Sequence, residues 1–249
     1  GGVAQPAGCL SARLPGGNVS EASCYRPSMA SSTEVRSARG HVAAAARRLA
    51  SEGLVLGTAG NISERFGELV AITPTGGRLE ELAPEHVSVI DLDGGHVDGE
   101  LEATSELMLH LGIYERYGAG GVVHTHSRMA TALSCVLDEV PVVHYGMLGL
   151  GGSVRVAPYA TFGTPELAEA TLDALEGRNA ALMANHGAIT YGGDAQGAVE
   201  AALLLEWACS VYWHASALGT PRLLGETEQQ AVIDAVTERR YGQVHTSAR

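Results

Sequence analysis

The chain has no lysine, and its few cysteines lie far apart. All 16 basic residues among the 249 are arginines. A reaction that passes through a lysine Schiff base is therefore excluded within these residues, because no lysine amine is present to form it. The four cysteines, at positions 9, 24, 135 and 209, include no C-x-x-C pair. Neither a cysteine zinc site nor a disulfide framework is expected in a chain of this size.

Long apolar runs and an excess of positive charge are also missing. No apolar stretch approaches the roughly 20 residues of a membrane-spanning helix, and the first residues lack the charged and apolar regions of a signal peptide. We therefore expect a cytoplasmic protein. The net charge of −12, from 16 basic and 28 acidic residues, disfavours binding to nucleic acid or to an anionic membrane. An anionic substrate would need local positive potential, from a metal ion or from backbone amides.

The composition of the chain changes near residue 32. Residues 1–32 are rich in Gly, Ser, Ala and Pro, show no sustained periodicity and contain Met29, a candidate natural start. We expect them to form a flexible or expression-derived tail. Residues 33–249 are predicted to form a single domain, because their number suffices for one large α/β core and no linker or repeat interrupts them.

Helical and strand-like segments alternate through this domain. Apolar spacing predicts a helix capped by Thr33 and ending near Ser51, and Thr164-Pro165-Glu166 is typical of a cap and first turn. The strand-like segments lie close together and are joined by turns, which favours a central, largely antiparallel sheet covered by helices. Further helices are predicted over 105–117, 127–135, 194–218 and 227–240, and strands over 69–72, 87–90, 122–126 and 180–183.

Two histidines stand two residues apart at the end of a β-branched run, in residues 122–127 (VVHTHS). Side chains alternate along a strand, so His124 and His126 are expected to share one face. His186, just after an apolar strand, could supply a third imidazole. Three imidazoles with an open fourth position form a catalytic zinc site. The alternative is a polar strand end and an ordinary turn histidine.

Glu106 follows Thr104 and Ser105 at the predicted start of a helix. A carboxylate at this position ordinarily offsets the helix dipole, and the sequence alone favours that role. Beside a metal ion, the same carboxylate could move a proton once the metal has polarised a neighbouring oxygen. Both roles stay open at this level.

Two loops combine glycine with side chains that donate hydrogen bonds. They are residues 57–63 (GTAGNIS) and 73–77 (TPTGG). Glycine lets backbone amides converge on an anion, and Thr, Ser and Asn add neutral donors, so the loops suit a phosphate. Neither loop matches a P-loop or a dinucleotide fingerprint, and each could be an ordinary turn.

In this order, the motifs resemble the class II aldolase/adducin family, and within it the aldolases of ketose 1-phosphates such as L-fuculose 1-phosphate. The similarity runs from about Val35 to Gly242. The resemblance implies a three-layer α/β fold in which helices cover both sides of a central, largely antiparallel sheet. It also implies a homotetramer with active sites at subunit interfaces. The matching residues are 57–63, 72–76, 105–106, 122–126, 144–145, 157–164 (APYATFGT) and 186–187.

The resemblance also implies a metal centre and a catalytic carboxylate. A Zn²⁺ ion, or another divalent transition metal, would be held by His124, His126 and His186. Glu106 matches the catalytic carboxylate, which in the family can also fill the fourth position of the resting metal.

Further roles are implied for two tyrosines and for a set of phosphate-binding residues. Tyr145 matches a tyrosine that reaches a neighbouring subunit's site as a proton donor. Tyr241 resembles a C-terminal tyrosine that closes over the substrate. The family usually has serine where this chain has Thr104, which keeps the hydroxyl. The phosphate-binding positions fall at Thr58, Gly60, Asn61, Thr75, Gly76, Thr104 and Ser105.

The implied reaction is cleavage of L-fuculose 1-phosphate, or a similar deoxy-sugar phosphate, to dihydroxyacetone phosphate and a small aldehyde through an enediolate. A zinc-dependent sugar-phosphate dehydratase is an alternative, because it too would use a glutamate. A 4-epimerase of the same fold carries a Thr-His-Ala-Asp context, whereas residues 143–147 here contain no carboxylate. A non-catalytic adducin-like binding module would be expected to lose metal ligands, and this chain keeps all three.

Overall fold

A nine-stranded sheet runs through residues 30–239, the part of the chain that the computed structural model describes. Within these residues, no helix is long and apolar enough to cross a membrane. The helices are α1 (Ser32–Ser51), α2 (Leu107–Tyr117), α3 (Arg128–Ser134), α4 (Pro165–Ala174), α5 (Ala195–Leu218) and α6 (Glu226–Arg239). The strands are β1 (Asn61–Phe66), β2 (Leu69–Ile72), β3 (Ser88–Asp91), β4 (His96–Asp98), β5 (Gly121–Thr125), β6 (Glu139–Val140), β7 (Val154–Ala157), β8 (Ala180–Met183) and β9 (Gly187–Gly192).

The strands lie in the order β4-β3-β2-β1-β5-β9-β8-β7-β6. Only the β7–β8 pair is parallel, so the expected largely antiparallel sheet is confirmed. The register places Asn61 of β1 opposite His124 of β5, and Ala188 of β9 opposite Thr125. The start of β1, the end of β5 and the start of β9, which are distant in sequence, therefore lie side by side.

Helices cover both faces of this sheet, which confirms the three-layer arrangement. Val123 belongs to a core beneath α1 and α5, whereas its neighbour Val122 belongs to a core beneath α2 and α4. The alternation follows from the two-residue period of a strand. A third core joins α3 and α5 to β8, on the same side as α1. Both valines are fully buried, as expected for a central strand.

The helix starts follow local capping rules, with one correction. Thr33 was expected to cap the first helix, but Ser31 does so. Its hydroxyl accepts the Glu34 amide proton at 3.3 Å, and the Glu34 carboxylate accepts the Ser31 amide proton at 2.7 Å. This reciprocal pair satisfies two free helix-end donors, which Thr33 could not do from inside the helix. Thr164 caps α4 as expected, through the Leu167 amide.

Several expectations fall on residues that the structure does not describe. These are most of the N-terminal tail, with Met29, and the C-terminal segment that contains Tyr241. The single domain over residues 33–249 stays a prediction. The described helix α1 begins at Ser32, inside the range first assigned to the tail.

Candidate active site

Three imidazoles converge beside the C-terminal end of the central strand β5. His124 lies on β5, His126 follows it by two residues, and His186 lies in the turn between β8 and β9. Their ring centroids are 4.8 to 4.9 Å apart. One nitrogen from each ring lies within 4.8 Å of the others, an arrangement that could hold a metal ion.

Backbone geometry brings the third histidine to the other two. Asn185 adopts a left-handed conformation (φ 57°) just before His186, which turns the chain sharply between β8 and β9. Gly187 then passes directly against β5, since a Cβ atom there would lie 2.3 Å from the Thr125 carbonyl oxygen. The Asn-His-Gly sequence therefore allows the turn to pack on the strand that carries His124.

Hydrogen bonding orients His124 for metal binding. Its Nδ1 lies 2.9 Å from the Ala188 carbonyl oxygen. A carbonyl only accepts, so Nδ1 carries the proton and Nε2 presents a lone pair. That Nε2 lies 2.9 Å from Nε2 of His126. Two inward-facing ring nitrogens at this distance need a shared proton or a common cation between them.

Glu106 directs its carboxylate towards the histidines rather than towards its own helix. It occupies the position that precedes α2, yet its side chain makes no capping hydrogen bond. Oε2 lies 3.2 Å from Nε2 of His124, and Oε1 lies 3.4 Å from Nε2 of His186. The Thr104 hydroxyl accepts the Glu106 amide proton at 3.3 Å and holds this backbone turn. Of the two roles considered for Glu106, the geometry therefore favours the one beside a metal.

The chemistry of this donor set fits a divalent cation. Oε1 of Glu106 is buried and accepts no hydrogen bond; its contact with His186 is longer than a good one. A buried carboxylate oxygen without a donor is costly unless a cation satisfies it. Carboxylate oxygen and imidazole nitrogen together are ligands that transition metals accept.

The pKa shifts of His126, His186 and Glu106 are also those that a metal site requires. Burial, together with the other imidazoles, lowers the pKa of His126 to about 4 and also lowers that of His186. Both rings are then neutral at pH 7 and can donate lone pairs. Burial alone would raise the pKa of Glu106, but the neighbouring imidazoles and the Asn61 amide outweigh it and leave that pKa below its ordinary value.

An open cleft of about 280 Å³ lies above these groups. His126, His186 and Glu106 line one part of it, and the exposed rings of Tyr159 and Phe162 stand at another. Both glycine-rich loops contribute to its wall. Every residue assigned to phosphate binding lines this cleft, namely Thr58, Gly60, Asn61, Thr75, Gly76, Thr104 and Ser105.

Asn61 lies in surroundings that the sequence did not suggest. Residues 61–63 were assigned to a loop, but they begin the central strand β1. The side-chain amide of Asn61 is already bound to Glu106 and His110, so its contact with phosphate stays a prediction. His110 itself was not singled out from the sequence. Its spacing of four residues from Glu106, on one helix face, is the signal that could have found it.

Of the two tyrosines implied as catalytic, the structure describes Tyr145. Tyr145 begins a short 3-10 turn, is 45% exposed and packs its ring beside His144. It does not line the cleft of its own chain, and its action in a neighbouring subunit stays a prediction. Tyr241 lies outside the described residues.

A family model described as the Class II Aldolase and Adducin N-terminal domain matches residues 40–213. The chain belongs to the class II aldolase/adducin family. The matched range contains all three histidines, Glu106 and both glycine-rich loops. The resemblance drawn from the motifs is confirmed.

Named relatives of this class II aldolase family member act on different sugar phosphates. The 5-deoxy-D-ribulose 1-phosphate aldolase of Bacillus thuringiensis serovar kurstaki is 38% identical over 195 residues, covering 77% of this chain and 92% of that protein. The L-fuculose phosphate aldolase of Escherichia coli K12 is 38% identical over 183 residues, covering 73% and 85%. A solved structure of an L-fuculose 1-phosphate aldolase aligns with a TM-score of 0.77 at 32% identity, covering 84% of this chain and 98% of that chain. The expected α/β fold is thus confirmed.

Proposed function

We propose that this class II aldolase cleaves a ketose 1-phosphate into dihydroxyacetone phosphate and an aldehyde, with a divalent metal ion, Zn²⁺ by preference, held by His124, His126 and His186. The observation that carries the proposal is the position of Glu106. Its carboxylate faces two of the three imidazoles at the floor of a cleft whose walls are rich in glycine and hydroxyl groups. A capping side chain would instead accept hydrogen bonds from the free amides at the start of α2, which Glu106 does not do.

The cleft divides into a phosphate end and a reacting end. The glycine-rich loop at residues 57–60, with Asn61 at the start of β1, and the loop at residues 73–77 would bind the phosphate through backbone amides and neutral polar groups, helped by Thr104 and Ser105. This use of neutral donors suits a protein with no lysine and a net charge of −12. The phosphate then anchors the substrate while its carbonyl end lies near the histidines.

When bound, the metal ion would supply the Lewis-acid charge that stabilises the enediolate left after carbon–carbon cleavage. Glu106 would carry a proton to and from the enediolate carbon, and it can also fill a metal position when no substrate is present. Oε2 of Glu106 is held by the Asn61 amide, so Oε1, which accepts no hydrogen bond, is the oxygen left to carry the proton.

During cleavage the C4 hydroxyl must give up its proton to a catalytic group as it becomes the aldehyde, and in the reverse direction the same catalytic group returns that proton to the aldehyde oxygen. We propose that Tyr145 serves this role from a neighbouring subunit of a homotetramer, because Tyr145 is exposed and does not line the cleft of its own chain. Tyr241 would close over the bound substrate. The aromatic rings of Tyr159 and Phe162 at the cleft suit a substrate with an apolar, deoxygenated end, which both a deoxypentulose and a deoxyhexulose phosphate provide.

The test is an assay of substrate cleavage. The purified protein is incubated with 5-deoxyribulose 1-phosphate and with L-fuculose 1-phosphate, and release of dihydroxyacetone phosphate is measured before and after chelation. We expect the release of dihydroxyacetone phosphate to be lost on chelation and restored by Zn²⁺. Loss of water from the sugar without release of dihydroxyacetone phosphate would favour a dehydratase, and full activity without metal would refute the metal-dependent mechanism.

A further inference from the structure

A buried network of hydrogen bonds runs from Glu106 through Asn61 to three residues that do not line the cleft, His110, Ser63 and Tyr114. Nδ2 of Asn61 lies 2.9 Å from Oε2 of Glu106, and Oδ1 of Asn61 lies 2.5 Å from Nε2 of His110. Nδ1 of His110 lies 2.7 Å from the Ser63 hydroxyl, which lies 2.6 Å from the Tyr114 hydroxyl. His110 and Ser63 are fully buried, and Tyr114 is only 1% exposed.

The Glu106 carboxylate at one end of this network fixes the donor and the acceptor of every hydrogen bond in it. An ionised carboxylate only accepts, so the Asn61 side chain must present its NH₂ group to Glu106 and its oxygen to His110. Nε2 of His110 must then carry the proton, which leaves Nδ1 to accept from Ser63. Ser63, having used its proton, accepts from Tyr114. All four donors therefore point towards Glu106.

We propose that His110 is a positioning residue for Glu106: its Nε2–H holds the Asn61 carboxamide in the one orientation that donates to Oε2, which leaves Oε1 as the oxygen without a hydrogen bond, 3.4 Å from Nε2 of His186. The proposal rests on the proposed role of Glu106 as proton carrier. Without the His110 donor, the Asn61 amide could reverse and place its oxygen against the carboxylate, which would repel Glu106 from its present orientation.

The cost of burying this network supports a role beyond packing. An apolar side chain would fill the position of His110 without a desolvation penalty, whereas a buried imidazole is stable only when both nitrogens are bonded. Here both are bonded, and every other member is a polar group that also finds its partner. Burial keeps the ring neutral, since it lowers the pKa of His110 to about 3. A neutral ring has one donor and one acceptor, as the chain of bonds requires.

The first experiment compares two substitutions of similar size. His110→Gln keeps an N–H donor near the place of Nε2, whereas His110→Met removes it. We expect His110→Met to lower kcat by about 10- to 100-fold with little change in KM or bound metal, as for other residues that orient a functional group. His110→Gln should recover most of this loss. Equal kcat values for His110→Met and the wild type would overturn the proposal.

A double substitution separates positioning from folding. If His110 acts through Asn61, His110→Met should lower kcat no further once Asn61→Leu is present; additive losses would overturn the proposal. His96→Gln is the matched control, because the His96 side chain is exposed on the β3–β4 hairpin and its ring bonds the nearby Gly99 carbonyl. That variant should keep wild-type kcat.

The second experiment needs no activity. In metal-free protein labelled with ¹⁵N-histidine, nuclear magnetic resonance distinguishes a protonated from an unprotonated ring nitrogen. We expect His110, assigned by its absence in His110→Gln, to show a protonated Nε2 and an unprotonated Nδ1. The opposite tautomer would overturn the proposal even if the enzyme is active. If the wild type released no dihydroxyacetone phosphate, the proposed function would fail while this measurement still decided the hydrogen-bond direction.

Discussion

A Cβ atom added to Gly187 would lie 2.3 Å from the carbonyl oxygen of Thr125. The turn that carries His186 is thus pressed against the strand that carries His124, with no room between them for even a methyl group. The close approach of His124 and His186 depends on this contact, because the two histidines come from segments that the β5–β9 pairing joins.

Gly187→Ala should therefore destabilise the protein and separate the histidines. The clash is with backbone, which cannot rotate away, and we expect a loss of about 3 kcal/mol in the free energy of unfolding. Urea unfolding of the metal-free protein measures this loss. Gly40→Ala is the control, because a Cβ atom at Gly40 in α1 meets nothing within 4 Å; it should be stabilising by about 0.5 to 1 kcal/mol. Equal stability of Gly187→Ala and the wild type would contradict the contact.

Glu106→Gln should keep the metal but lose turnover. The variant preserves size and removes the ability to carry a proton, so kcat should fall by about 10²- to 10⁴-fold. Metal content by mass spectrometry should stay close to that of the wild type, since three imidazoles remain. Glu115→Gln, an exposed glutamate on the same helix, should change neither quantity. Wild-type turnover in Glu106→Gln would return this residue to a purely structural role.

Zn²⁺ should raise the melting temperature of the wild type, since a ligand that binds only the folded state stabilises it by about 2.7 kcal/mol at 100 times its dissociation constant. His186→Ala removes one of three ligands and should abolish most of this shift. Differential scanning fluorimetry with and without Zn²⁺ measures it. A shift of wild-type size in His186→Ala would show that Zn²⁺ binds elsewhere. His96→Ala, at an exposed position outside the cleft, should respond as the wild type does.

Acid should destabilise the metal-free protein through His110. Burial lowers the pKa of His110 to about 3 in the folded state, whereas an unfolded histidine titrates near 6.5. As the pH falls below about 6.5, His110 binds a proton in the unfolded chain but stays neutral in the folded one. The free energy of unfolding therefore decreases until the pH reaches about 3. At pH 5 the loss relative to pH 7 is about 2 kcal/mol.

Urea unfolding at pH 7 and pH 5 tests this dependence. His126, with a pKa of about 4, acts in the same direction, so the decisive comparison is with His110→Gln. That variant should lose about 2 kcal/mol less than the wild type between the two pH values. An identical loss in both proteins would mean that His110 does not contribute.

The sequence predicted well wherever a pattern was local. Residues 69–72 and 180–183 were predicted as strands and are β2 and β8. Asp194 was placed at the start of a long helix and caps α5 through the Gly197 amide. Such features depend on side chains within a few positions of one another, so their spacing is visible in the sequence itself.

Prediction failed where a residue's environment came from a distant part of the chain. Residues 61–63 were expected to end a loop, yet they begin the central strand β1, whose middle is the polar run Ser63-Glu64-Arg65. Ser63 is satisfied by His110, and Glu64 accepts the Ala195 amide proton at 3.0 Å from 131 positions away. Polar residues are tolerated in the centre of a sheet only when such partners are present, and those partners are invisible to periodicity.

The sequence by itself determined which chemical groups this protein has available and which family it belongs to. Three histidines, a glutamate and two glycine-rich loops, in their order, were enough to predict a metal site and a phosphate cleft. Tertiary structure alone decided the direction in which Glu106 points and the chain of donors that holds it there. The physical reason is that spacing specifies a face of a strand or helix, whereas the Asn61–His110 bond joins residues 49 positions apart, and only the packing of α2 on β1 brings them within reach.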